Sequence, residues 1–444
     1  MKLDAIRDCL EGVIPGLMAT CAPDGMPNVA CLSQVEYVDG EHLALSYQFF
    51  NTTRGNILAN PQARLIVTHP RTGARYRLLL RYLRTETEGA LFERMKAKLA
   101  GIASHTGMSD VFRLLGSDVY RVLEIEPVPG AAHEPAPPRS PLAALRAATA
   151  ALSDCGDLES LINAALDCLV TRFDIPHAML LMLDGSGTRL YTLASRGYQD
   201  SGIGSEIALG EGVIGVAARE NAPIRLGHMT AEYAYGRAVR AAAHNGRWEG
   251  LETAIPLPGL PESRSQLAVP IAARRQLLGV LYVESPEDLR FGYDDEDALV
   301  ALAAQLGLAI GLLQEPAEPG ELPAAASGAA DAVAGAPLTV RRYPENDSIF
   351  LDGDYLIRGV AGAILWALLR DYQESRRSVF SNRELRVDPR IRLPGRSDNL
   401  EARLILLSRR LVERSAGIAI EKAGRGLLRL VVKRPLHLQE TPAP

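Results

Sequence analysis

The chain is short of several things that would have classified it at once. Among 444 residues there are five cysteines, Cys9, Cys21, Cys31, Cys155 and Cys168, and no two stand as a CxxC pair. An odd, scattered set argues against a disulfide framework and a thiolate zinc site, and fits reduced thiols in a cytoplasm. No uninterrupted apolar run is long enough to span a bilayer, so no membrane segment is expected. The opening "MKLDAIRDCLEGVIPG" mixes acids with bases and lacks a long apolar core, so no secretory signal is expected in it. A Ser–His–Asp signature, a metal-spaced Cys/His cluster, a Walker-type glycine loop and histidine-kinase pairs are all missing. No acid, base or nucleophile constellation therefore announces an enzyme.

What is present is an ordinary globular composition, 47% hydrophobic and 23% charged. The length suits about three domains of roughly 150 residues. Two segments poor in bulky side chains separate them. "EPVPGAAHEPAPPRSP" ends at Pro141, and "EPAEPGELPAAASGAADAVAGAP" runs over 315–337. Neither can bury enough apolar surface to fold, so both read as linkers, the first stiffened by proline. The expected division is a domain over 1–126, a linker to 141, a domain over 142–314, a second linker, a domain over 338–437, and a tail over 438–444. Charge is uneven across this division. Residues 338–444 hold 20 Lys and Arg against 13 Asp and Glu, a net +7, while the whole chain stands at −5. The remainder therefore carries −12.

In the first domain, "GLMATCAPDGMPNVACLSQVEYVDGEHLALSY" reads as strands broken at the turns "PDG" and "VDGEH". Further strands at "ARLIVTHP", "RYRLLLRYLRTETEG" and "DVYRVLEIEPV" predict a small antiparallel barrel of about six strands. Between two strands lies "SYQFFNTTRGNILANPQARLIVT", a polar cluster at the mouth of a short helix. Such a mouth offers free N–H groups and partial positive charge, and an arginine fork with threonine hydroxyls suits phosphate oxygens. The same residues also serve as a plain helix cap beside a solvated arginine.

This order of elements resembles the pyridoxamine-phosphate-oxidase-like, FMN-binding split barrels. The resemblance implies that Asn51, Thr52, Thr53 and Arg54 clamp the FMN phosphate. It also implies that Ser46 and Gln48 approach the ring or ribityl chain, and that the flavin lies at a homodimer interface. The chain departs from true oxidases in lacking their terminal Arg- and Pro-containing substrate segment. Relatives of this fold have lost flavin or taken haem, and His105 in "GIASHTGMSD" is the candidate ligand for haem or substrate.

The middle domain begins with two helices split at "SDCGD", where Asp157 is a good cap for "LESLINAALDCLV". The motifs "LGEGVIGVAARENAPIRL", "LAVPI", "LLGVLYVES" and "FGYDDEDALVALAAQLGLAI" resemble a GAF domain. That implies an α/β sandwich with a central antiparallel sheet and a small-ligand pocket on one face. Gly210, Gly212 and Gly215 fit a tight turn that opens a helix. The ligand loop contains no cysteine for a covalent bilin, but it contains His228 and His244 as possible ligands. The long flanking helices are of the kind that pair across dimers.

In the third domain, two or three short strands lead to helices at "VAGAILWALLRDYQES", "SNREL" and "DNLEARLILLSRRLVERS". A hairpin at "IAIEKAGRGLLRLVV" follows. This order resembles the winged-helix output domain of response regulators. It implies DNA contacts from Arg403, Arg409, Arg410 and Arg414 on the recognition helix and from Lys422 and Arg425 on the wing. The outward positions Glu401, Leu406 and Ser408 are less basic and polar than usual, which leaves a protein-facing helix or a solvated surface open. The expectation is a cytoplasmic, dimeric, multidomain α+β sensor–regulator that binds a small molecule and, through a winged helix, DNA. The alternative is an FMN-dependent oxidoreductase regulated by its other two domains.

Overall fold

The computed structural model describes residues 1–10, 14–32, 34–48, 51–89, 91–96, 98–99, 114–134, 140–227, 255–314, 336–391, 393, 399–424 and 426–441. The N-terminal part is a seven-stranded sheet made of β1 (Gly16–Cys21), β2 (Pro27–Leu32), β3 (Val35–Tyr37), β4 (His42–Tyr47), β5 (Gln62–Thr68), β6 (Arg75–Glu86) and β7 (Gly116–Val128). Helix α1 (Asn51–Ala59) joins β4 to β5. The spatial order is β2-β1-β5-β6-β7-β4-β3 and every pairing is antiparallel. Period-two alternation builds it. Met18, Leu65, Val67, Leu78 and Leu80 are buried, while Leu17, Arg64, Arg77 and Arg81 between them face outward. The β6–β7 register shifts at Leu79/Leu80 and again at Tyr82/Arg84. Such shifts bend a ladder, and the sheet curls into a half-barrel over Leu43, Leu45, Ile57 and Tyr120. A 3-10 helix over Leu3–Leu10 lays Leu3, Ile6 and Leu10 on the same core.

The middle part is a six-stranded antiparallel sheet in the order β10-β9-β8-β13-β12-β11. Its strands are β8 (His177–Leu183), β9 (Arg189–Arg196), β10 (Glu206–Ala208), β11 (Ile224–Leu226), β12 (Ser265–Ala273) and β13 (Gln276–Ser285). Helices α2 (Leu142–Ser153), α3 (Leu158–Thr171) and α5 (Tyr293–Gln314) cover one face, and α4 (Gly212–Glu220) covers the other. Asp157 caps α3 as the sequence indicates, accepting the Ser160 N–H at 2.8 Å. Gly210 and Gly212 have φ of +89° and +58°. A Cβ on Gly215 would lie 2.2 Å from the Ala208 carbonyl oxygen, so the turn into α4 closes only over glycine. Helix α5 is apolar and long enough over Tyr293–Leu313 to cross a bilayer by composition. Here Leu299, Leu302, Ala303, Leu306 and Ile310 are buried in the core of this sheet.

The C-terminal part follows the element order read from the sequence. Strands β14 (Leu338–Tyr343), β15 (Ser348–Leu351) and β16 (Asp354–Ile357) precede α6 (Gly359–Ser375), β17 (Val379–Ser381) and α7 (Asn382–Val387). Helix α8 (Leu400–Glu413) and the hairpin β18 (Ile418–Gly424) and β19 (Leu427–Val432) follow. Ser381 and Glu384 form a reciprocal capping box at α7. One element falls where a tail was expected. Strand β20 (Leu436–Glu440) pairs parallel with β14. Only Leu436 and Leu438 alternate inward there, too short a pattern to read as a strand.

An electrostatic joint ties the half-barrel to the middle part. The Tyr293 ring lies between two guanidiniums, with Arg7 Cζ 4.1 Å and Arg225 Cζ 4.5 Å from its centroid. The Tyr293 hydroxyl donates to the Leu10 carbonyl at 3.2 Å. Arg225 Nε donates to Glu296 at 2.7 Å and Arg7 donates to Asp297 at 3.1 Å. Burial pushes the Glu296 carboxyl up, but Lys98, Arg225 and Arg7 together hold it below its ordinary value.

Two predictions follow from this packing. Glu296 has a depressed folded value, so its contribution is present above the ordinary value of 4.5 and is lost as pH falls through the lower folded one. Melting curves across pH should therefore place Glu296→Gln below the parent at neutral pH, with the gap closing in acid. A gap that does not change with pH would mean the carboxylate is not held by these cations. The second concerns α5. A Cβ on Gly307 would lie 2.3 Å from the Ala272 carbonyl oxygen, whereas one on Gly311 meets nothing within 4 Å. Overpacking costs about 1–3 kcal/mol against roughly 1 kcal/mol gained by replacing a helical glycine. Gly307→Ala should lower the melting temperature and Gly311→Ala should raise it.

Candidate functional site

The residues chosen from the sequence around α1 divide into two groups. Ser46, Gln48 and Thr53 are buried inside the half-barrel, at 3%, 5% and 7% exposure. Thr53 Oγ1 accepts from Asn28 Nδ2 at 2.9 Å, and Gln48 Nε2 reaches Ser46 Oγ at 3.4 Å. The cavity bounded by Ser46, Tyr47, Thr53, Arg54, Asp118 and Tyr120 measures about 10 Å³, room for at most one water. These three side chains therefore face the core and not a ligand-sized space. Asn51 begins α1, and Thr52 is exposed beside it.

Arg54 has a partner that the sequence reading missed. Its Nη1 donates to Asp118 Oδ1 at 2.6 Å and to Thr85 Oγ1 at 2.7 Å, and Thr85 donates to Asp118 at 2.5 Å. The guanidinium lies 4.8 Å from the Tyr47 ring centroid and 5.6 Å from that of Tyr82. Burial raises the Asp118 carboxyl above its ordinary value, although Thr85 and Arg54 oppose the shift. The donor chemistry fits a phosphate at the mouth of α1, where Thr52 and the outer edge of Arg54 would hold FMN. Nothing in the sequence within reach of Arg54 pointed to Asp118, which lies on β7, 64 residues away.

On the α4 face of the middle sheet, β13 turns Val280, Tyr282 and Glu284 inward. Glu284 is 1% exposed and accepts the Leu260 N–H at 3.0 Å and the Tyr282 hydroxyl at 3.3 Å. The Tyr198 hydroxyl is pushed well above its ordinary value by burial and by Glu284, and its ring lies 5.7 Å from that of His177. A buried carboxylate ringed by phenols is an acceptor suited to an N–H group. A lone Glu in line with buried residues of "LLGVLYVES" was the signal for it. His228 and His244 lie outside the described residues, as does His105.

The arginines expected to contact DNA are drawn into the molecule. Nine of the 14 residues of α8 are buried, so the helix is covered on every side. Arg403 lies over the Tyr191 ring at 4.2 Å. Arg409 donates to the Leu193 carbonyl at 2.9 Å and to Asn163 Oδ1 at 3.0 Å, and burial lowers its pKa. Arg410, 6% exposed, donates to the Leu356 carbonyl at 3.1 Å and to Glu413 at 2.8 Å. Lys422 pairs with Asp157 at 3.0 Å. Of this set Lys422 and Arg414, the latter 4.0 Å from Asp354, stay largely at the surface, and Arg425 lies outside the described residues. In this arrangement Arg403 and Arg409 hold the middle domain and are not offered to a groove. A cleft of about 850 Å³ opens at Arg410 and Arg414, bounded also by Ser201, Gly202, Pro256 and Tyr355.

Comparison with known proteins agrees with the first two domains. Residues 3–127 match the family model described as pyridoxamine 5'-phosphate oxidase, and residues 157–310 match that of the GAF domain. No curated protein matches the chain. Among solved structures, the GAF domain of an Acinetobacter phosphoenolpyruvate-protein phosphotransferase is 24% identical with a TM-score of 0.30, covering 38% of this chain and 92% of its own. An FMN-binding protein from Syntrophomonas wolfei is 18% identical with a TM-score of 0.24, covering 29% and 92%. HupZ from Group A Streptococcus is 20% identical with a TM-score of 0.24, covering 30% and 98%. The chain thus joins an N-terminal domain of the pyridoxamine 5'-phosphate oxidase type to a GAF domain, with a third α+β part after them.

Proposed function

We propose that the chain is a cytoplasmic, homodimeric sensor–regulator. Its half-barrel takes a flavin, FMN, with Thr52 and Arg54 at the phosphate. Its GAF domain takes a small molecule on the Glu284 face, and its C-terminal domain acts as a winged helix with DNA as the output partner. The observation that carries this reading is the seat of α8 on the GAF domain. Arg403 and Arg409 bind Tyr191, Leu193 and Asn163 of α3 and β9, so a change in that sheet reaches the output helix directly. The net +7 of the last domain supports DNA as the partner. In the docked state the helix is closed to DNA, and output consists of its release.

Leu406→Gln tests this, because it places an unpaired polar group in the buried seat without adding a charge that would itself act on DNA. The variant should bind duplex DNA at least tenfold more tightly than the parent, with an affinity that falls steeply as salt rises. If the variant folds and neither protein binds DNA, α8 is a permanent protein contact and the DNA output is wrong. The oxidoreductase reading keeps one specific support, the match of residues 3–127 to the oxidase family. A flavin spectrum after incubation with FMN and desalting, followed by NAD(P)H, separates the two. A bound flavin that NAD(P)H bleaches favours the enzyme, and one that stays oxidised favours the sensor. A Soret band would point to haem.

A further inference from the structure

We propose that Asp118 is a resident anion that competes with phosphate for Arg54, so that this one carboxylate sets how strongly the half-barrel holds a phosphorylated ligand. The inference rests on the reading of α1's mouth as a phosphate site, and it concerns a residue that this reading does not include.

The geometry behind it is specific. Asp118 lies on β7 between the strands that flank it, its Cα opposite Leu45 of β4 and Thr85 of β6. It is a carboxylate in a run of buried residues, 5% exposed, at the inner edge of the site. A buried carboxylate needs a cation and hydrogen-bond donors to be tolerated. Asp118 has both, from Arg54 and from the Thr85 hydroxyl. The consequence runs in the other direction for Arg54. Its charge is already compensated, and Nη1 is committed to two acceptors on the inner side. A phosphate arriving from solvent meets a near-neutral pair and not a free guanidinium. It also approaches a second anion across the arginine, because the inner cavity is too small to admit it. The side chain of Arg54 remains 21% exposed, so an outer edge is available to an incoming oxygen.

Replacing the carboxylate by its neutral isostere should therefore strengthen phosphate binding without touching the residues that bind it. Titrate the purified full chain with FMN, and with riboflavin as the phosphate-free control, following flavin fluorescence. Asp118→Asn should bind FMN about tenfold more tightly than the parent, a change of roughly 1.4 kcal/mol. Riboflavin affinity should not move, and Asp118→Asn combined with Arg54→Ala should lose the gain. An equal gain for riboflavin would mean that the pocket merely opened, and it would overturn the proposal, as would no gain for either flavin together with no response to phosphate.

Inorganic phosphate, read by thermal shift, separates this proposal from the flavin reading. If neither protein binds flavin but phosphate stabilises Asp118→Asn selectively, the anion competition stands and the flavin reading falls. If FMN binds both proteins equally and through Arg54, the flavin reading stands and the competition falls. Circular dichroism reports folding of the variant. If Asp118→Asn is unfolded, Asp118→Ser, also uncharged and smaller, carries the same expectation.

Discussion

The architecture depends on covering one helix. In α8 four consecutive residues, Leu404, Ile405, Leu406 and Leu407, are apolar. Four in a row occupy every side of a helix at 3.6 residues per turn, so no orientation leaves an amphipathic face to water. The C-terminal domain covers one side with α6 and β18, and the GAF domain covers the other with α3 and β9. Buried residues of the C-terminal domain and of the helix-covered face of the GAF sheet under α2, α3 and α5 form a single apolar cluster. The polar contacts around it, Arg358 with Glu206 and Lys422 with Asp157, sit at the edges and fix orientation. The two units therefore behave as partners across an interior rather than as beads on a linker, even though 23 residues of linker composition separate α5 from β14.

The other junction is built from charge. Around Tyr293, two arginines, Lys98 and two carboxylates meet at a single ring. Apolar packing tolerates sliding, whereas this arrangement does not. Planar guanidiniums stacked on an aromatic face and paired to carboxylates have one good geometry. The half-barrel is thus held in register with the N-terminal end of α5, and the C-terminal domain is held by its apolar helix. The GAF sheet stands between two contacts of different physical character.

Much of this was legible in the sequence wherever the determinant is local. The Asp157 cap, the Gly210–Gly215 turn and the strand alternation of the half-barrel each depend on neighbours within a few residues, and each appears as read. What was not legible depends on partners far along the chain. Nothing near Arg54 announces Asp118, and nothing near Arg409 announces Asn163, 246 residues earlier. The polar residues Ser46, Gln48 and Thr53 suggest a ligand surface by type, but the end of β4 and the inner side of α1 bury them. The apolar run in α8 was visible, and Leu406 stood out as unlike a DNA-facing position. Only the fold supplies the surface that covers it.

Helix α5 begins at the charged joint and ends at the second linker. Along it, Gly307 brings the backbone against the Ala272 carbonyl with no side chain between. That contact is a fulcrum, because neither backbone can give way there. At 1.5 Å per residue it lies roughly 20 Å from Tyr293 and roughly 10 Å from Gln314. Such a rod cannot act as a piston.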